Sequence, residues 1–172
     1  VKILAAIGAL AIAAAVAAGV FFFGGYFNVA ATEEDPAIVN WVLVQVRQAS
    51  VIRHARGVPA TNIDDPAMVQ AGARAFAARG CVACHGAPGA QWAKFSEAMN
   101  PSPPDLAEIV KEREPAQLFW VIKNGVKMTA MPGFGAIGAD DKEIWSIVAF
   151  AKKLPSVSEA DFKAWTEKQN GG

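Results

Sequence analysis

Cys81-Val82-Ala83-Cys84-His85 is the segment of this chain whose residue types and spacing amount to a reaction site. Two thiols three residues apart, followed at once by a histidine, are the pattern of covalent c-type haem attachment. One helical turn sets both sulfurs along one edge of a porphyrin, where they can form thioether links to its two vinyl groups. His85 then points its imidazole at the iron. A longer gap would not match the vinyl positions, and a displaced histidine would miss the metal. Other chemistries need more than the chain contains. A zinc site wants four ligands, usually completed by a second Cys or His pair, and the sequence holds two cysteines and one further histidine, His54. A thioredoxin-like dithiol wants a βαβ setting, whereas Ala71–Arg79 reads as helix.

A haem iron with one histidine is either left open for chemistry or closed by a second side chain, and Met131 is the candidate for closing it. It sits in Lys123-Asn124-Gly125-Val126-Lys127-Met128-Thr129-Ala130-Met131-Pro132-Gly133-Phe134-Gly135. A Met-Pro step flanked by glycines makes an irregular loop able to wrap the far face of a haem. A thioether ligand favours reduced iron and raises the potential. Methionine is more often core filler, so the others are weighed against it. Met68 falls in the first turn of a predicted helix, Met99 lies in a loop, and Met128 is the closest competitor. The proline after Met131 and its surroundings favour Met131. His54 reads as a surface residue rather than an iron ligand.

With these residues in place, the chain resembles the class I, monohaem cytochrome c family. The resemblance rests on Cys81, Cys84 and His85, on Asn124-Gly125 and Thr129-Ala130-Met131-Pro132 downstream, and on Gly72 and Phe76 upstream. Ile147, Phe150 and Lys152-Lys153-Leu154 continue it through the last helix, so it covers about residues 66–155. It implies an all-α fold in which first and last helices cross, with Gly72 allowing close approach of Ile147 and Phe150. It implies one covalently attached haem c ligated by His85 and Met131. It also implies a proline-rich loop whose backbone carbonyl supports the other imidazole nitrogen, from Pro101, Pro103 or Pro104, which would fix the ring and raise its basicity.

Composition bounds the rest. Zero net charge argues against nucleic acid as a partner. Ile3–Phe27 is uncharged and mostly apolar, and as helix its 25 residues would reach roughly 37 Å, enough to span a bilayer with tilt. It exceeds the 7–15-residue apolar core of a signal peptide, so a retained anchor is expected. Lys2 places the N-terminus in the cytoplasm, and Phe21, Phe22, Phe23, Tyr26 and Phe27 would form an aromatic collar at the outer interface. The haem domain would then lie in the periplasm of a bacterium, on a single-pass anchor in the cytoplasmic membrane. Ala5, Ala9, Ala13 and Ala17, with Ala11, Ala15 and Gly19, form small-residue stripes suited to packing on another membrane helix.

The expected organisation is an anchor over 1–31, a juxtamembrane helix and linker over 32–65, a haem domain over 66–155 and a tail over 156–172. Asp35 is expected to cap a helix over Pro36–Arg56 whose apolar face is Ile38, Val42, Val46, Ala49 and Ile52. Its place is left open among membrane surface, partner subunit and haem domain. Pro66 opens the first haem-domain helix after capping Asp65, and helices follow at Asp105–Lys111, Pro115–Lys123 and from Asp140 to Leu154. Ile144, Ile147, Val148 and Ala151 form the buried stripe of that last helix. Trp120 and Trp145 are expected near the haem or between helices, and an amphipathic tail helix carries Phe162 and Trp165.

Iron closed on both sides relays electrons and does little bond chemistry, and no Ser-His-Asp set, carboxylate pair or phosphate loop stands out. The expectation is therefore an electron carrier in a membrane respiratory chain rather than an enzyme by itself. Its partners would be integral membrane respiratory subunits, redox proteins and membrane lipid. A fixed subunit of a larger oxidoreductase is favoured over a tethered shuttle. A haem enzyme or gas sensor would require Met131 to be off the iron. Lys123, Lys127 and Lys94 are candidates to steer an acidic partner.

Overall fold

Local capping chemistry starts the helices that carry the motif. In the computed structural model, which describes residues 1–167, Asp65 accepts a hydrogen bond from the Ala67 N–H at 2.9 Å and Pro66 opens α3, Pro66–Ala78. Gly80, in the left-handed region at φ 77°, turns the chain into α4, Cys81–His85. Asp105 accepts from Ala107 N–H at 2.8 Å and starts α5, Leu106–Glu112. A Glu114/Gln117 capping box with Pro115 starts α6, Pro115–Asn124. Asp140 accepts from Glu143 N–H at 2.7 Å and starts α7, Asp141–Lys153. Ser158 precedes α8, Glu159–Glu167, and accepts from Asp161 N–H. The all-α expectation holds: the described residues contain helices and short 3₁₀ turns and no strand. Of the tail, residues 168–172 lie outside the described part.

The chain divides into two units, Val1–Glu34 and the part from Asp35 onward. In the first, α1 runs Lys2–Phe23, about 33 Å at 1.5 Å per residue, long and apolar enough to cross a bilayer. Gly24 and Gly25 end it before the predicted Phe27. Phe27 folds back, its N–H donating to the Phe21 carbonyl and its ring packing on Phe21 and Phe22.

The core of the second unit is the crossing of α3 and α7. A Cβ at Gly72 would collide with the Ser146 carbonyl and lie 2.9 Å from the Phe150 Cβ. The nearest atoms to such a Cβ belong to Ser146 and Phe150, so the close approach at Gly72 is as expected at Phe150 and is tightest at Ser146, the neighbour of Ile147. α7 is buried around its whole circumference over Ile144–Ala151 instead of along one stripe, because α3, α5 and α6 all pack on it. Phe76 and Phe150 pack at 5.3 Å, and Phe162 of α8 stacks on Phe150 at 5.6 Å, so the tail helix covers the core. Burying each of these rings contributes about 1.5–3 kcal/mol. Arg79, at the end of α3, grips both carboxylate oxygens of Glu143 at 2.7 Å and donates to the Ile137 carbonyl. Lys152 donates to the Val110 and Arg113 carbonyls and closes the C-terminus of α5.

The helix predicted over Pro36–Arg56 is α2, Ala37–Ala55, and two of its details differ from expectation. Asp35 makes no cap. Pro36 is itself the cap, because its extended ψ of 133° lets its carbonyl accept from Val39 and Asn40. The helix packs on α6 of the same unit, and it does so through Val51 and Ala55 rather than through the predicted apolar face. His54 is exposed and stacks on Trp120 at 5.5 Å. Trp145 is buried and stacks on Phe119 at 4.6 Å.

Candidate haem site

The site is assembled from α4, the loop that follows it, and the loop between α6 and α7. Gly80 and Gly86, both at positive φ, bracket the single turn Cys81–His85. Ala93 N–H donates to the Ala83 carbonyl at 2.8 Å, folding the following loop back on this turn. Cys81 is buried, Cys84 is half-buried, and both are free thiols. Burial pushes the Cys81 thiol up to about 11.

His85 is held by its second nitrogen. Nδ1 lies 3.1 Å from the Pro104 carbonyl, which selects the protonated-Nδ1 tautomer and leaves Nε2 as the metal-binding nitrogen. Among the three candidate prolines, Pro104 is therefore the supporting residue. Burial of the ring lowers its pKa, while the Pro104 hydrogen bond acts in the opposite direction, so the imidazole is kept in the neutral form that a metal needs.

Gly125 begins the methionine loop at φ 70°, with any Cβ placed 2.6 Å from Gly133 N and 2.8 Å from the Met131 carbonyl, so only glycine fits there. Val126 N–H donates to the Met131 carbonyl at 3.2 Å. Inside that ring the Thr129 hydroxyl donates to the Val126 carbonyl at 2.8 Å and accepts from Met131 N–H at 3.1 Å. Met131 is half-buried and packs against the same core cluster that contains Cys81. Met128 sits at φ 58° and is 88% exposed, pointing away from that core. Met68 packs on the core from α3, and Met99 is half-buried in its loop. Thr129 is the positioning residue that sequence reasoning passed over. Its signal was a hydroxyl two residues before the methionine, the spacing of a side-chain-to-backbone turn.

This donor set fits a c-type haem: two unpaired thiols on one helical turn, an imidazole with one nitrogen already engaged, and a half-buried thioether on a preformed loop. Among the described residues no three His, Cys, Asp or Glu side chains converge as another metal centre would require. Of the candidate steering lysines, Lys123 is paired with Asp141 at 2.6 Å and lies over the Phe119 ring, while Lys94 and Lys127 are exposed.

Fold and site together define a helical c-type haem domain of the electron-transfer kind. Residues 67–150 match the family model described as cytochrome c oxidase, cbb3-type, subunit III, so this domain is similar to class I cytochrome c domains. Comparison with curated proteins and with solved structures returns no match.

Proposed function

We propose that the chain is a membrane-anchored carrier of single electrons, with one haem c attached through Cys81 and Cys84 and its iron held between His85 and Met131. The observation that carries this reading is the Pro104-supported His85 on the same turn as two unpaired thiols, within the family-matched domain. Bound there, the haem supplies a one-electron ferric/ferrous couple. The Pro104 carbonyl orients the imidazole and strengthens it as a ligand. The Met131 thioether favours the reduced state, and the Thr129-braced loop keeps it from leaving. Phe119, Ile122, Phe134 and the other apolar residues of the core limit water near the site. With His85 and Met131 both holding the iron, a substrate would have nowhere to bind, which suits a relay rather than a catalyst.

Residues 1–31 would serve as the anchor, holding the haem domain on the periplasmic side of a bacterial cytoplasmic membrane. A fixed subunit of a larger respiratory oxidoreductase is the favoured setting, supported by the oxidase-subunit description of the matching family and by the small-residue stripes of α1. The test is extraction of denatured protein with acidified organic solvent, followed by haem staining. Wild type should retain its haem, Cys81→Ala and Cys84→Ala should retain much less, and the double variant none. Haem fully retained by the double variant would overturn the attachment.

A further inference from the structure

α2 has two apolar edges, and the fold uses one. Val51 and Ala55, with half-buried Val44 and Gln48 in line, face α6. The other edge carries Ile38, Trp41, Val42, Val46 and Ile52, each 42–67% exposed. At 100° per residue Ile38, Val42, Ala49, Ile52 and Arg56 fall within about 80° of one another, with the polar Gln45 among them, Trp41 bordering the row on one side and Val46 and Arg53 on the other. A contiguous row of this kind marks an interaction surface.

We propose that this edge docks on the headgroup–acyl boundary of the phospholipid bilayer. The proposal rests on reading α1 as a membrane anchor, and three further observations select lipid as the occupant. First, α2 contains no carboxylate, and while Arg47 lies on the opposite face, Arg53 and the following Arg56 sit at the far end of the apolar row, where they can reach lipid phosphates. Second, a tryptophan at the border of an apolar stripe with arginines beside it is the pattern of helices that lie in the interface plane. Third, the connection from α1 is only Gly24–Pro36, about 45 Å at full extension, which leaves α2 within reach of the surface that an anchoring α1 would enter. Glu33, Glu34 and Asp35 belong to this connection and not to the apolar edge. Because α2 is packed on α6, with His54 stacked on Trp120, docking would set the orientation of the haem domain and so the direction in which its site is presented.

Full-length holoprotein in phosphatidylcholine–phosphatidylglycerol nanodiscs tests this. Both native cysteines are consumed by haem, so one introduced cysteine takes a single nitroxide label. Val42→Cys reports the proposed face, Ile12→Cys the anchor, and Glu108→Cys a water-exposed control. The Val42 label should show an oxygen-to-nickel-chelate accessibility ratio several-fold above the Glu108 label and close to that at Ile12. Adding Val46→Glu should bring the Val42 ratio down towards the control while the visible haem spectrum is unchanged. A water-like Val42 with a lipid-like Ile12 would overturn the docking and leave the anchor standing, whereas a water-like Ile12 would overturn the anchor. A Val42 label shielded from both reagents would mean that protein covers the face, a second copy or a partner, and would overturn lipid as its occupant.

Discussion

Replacing Thr129 by valine keeps the shape of the side chain and removes its hydroxyl, which makes two of the hydrogen bonds that close the Met131 loop. The bonds lost are the donation to the Val126 carbonyl at 2.8 Å and the acceptance from Met131 N–H at 3.1 Å. The backbone bond from Val126 N–H to the Met131 carbonyl remains. At about 1 kcal/mol net for each half-buried bond, the loop loses about 2 kcal/mol. An external ligand reaches the iron only when the thioether leaves, so the same energy appears in its apparent affinity. About 2 kcal/mol corresponds to a roughly 30-fold lower dissociation constant. The assay is imidazole titration of the oxidised holoprotein, followed in the visible spectrum. Thr129→Ser, which restores the hydroxyl, should bind imidazole nearly as weakly as wild type. Unchanged affinity in Thr129→Val, or equal effects of serine and valine, would refute the assignment of Thr129 as the brace.

Three further outcomes are expected. Met131→Ala should lower the reduction potential and let the reduced protein bind CO, while Met128→Ala, at an 88% exposed position, should leave potential and spectrum nearly unchanged. Gly72→Ala should cost about 3 kcal/mol or more in denaturant unfolding, at or above the usual range for overpacking, because the new methyl meets the Ser146 backbone carbonyl rather than a side chain that can turn away. Ala9→Leu with Ala13→Leu should keep α1 apolar and inserted yet reduce co-purification of integral membrane subunits, read by pull-down from matched membranes.

What was legible in the sequence was mostly local chemistry. The spacing of Cys81, Cys84 and His85 carries the proposed attachment within five residues, and Asp65, Asp105 and Asp140 cap helices through backbone groups two or three residues away. Gly125 and Pro132 likewise mark an irregular loop within their own few residues. Long-range choices were less legible. Three prolines could have supported His85, and only the folded path of the loop selects Pro104. The periodicity of α2 identifies Ile38, Val42, Val46 and Ile52 as an apolar row, but the haem domain takes the edge with Val51 and Ala55, which includes the polar Gln48. The full burial of α7 depends on three other helices and leaves no single-stripe pattern. The exposure of Met128 goes with its left-handed backbone, which no side-chain pattern announces in a non-glycine residue.

The central claim is an iron closed on both sides by this chain, by His85 and by Met131. Exposure of the reduced wild-type holoprotein to CO, with the visible spectrum recorded before and after, tests it most directly. A protein-closed site should give no CO adduct at neutral pH, and Met131→Ala in the same experiment should give one. Stoichiometric CO binding by the wild type would contradict the account and make the site one for ligand chemistry.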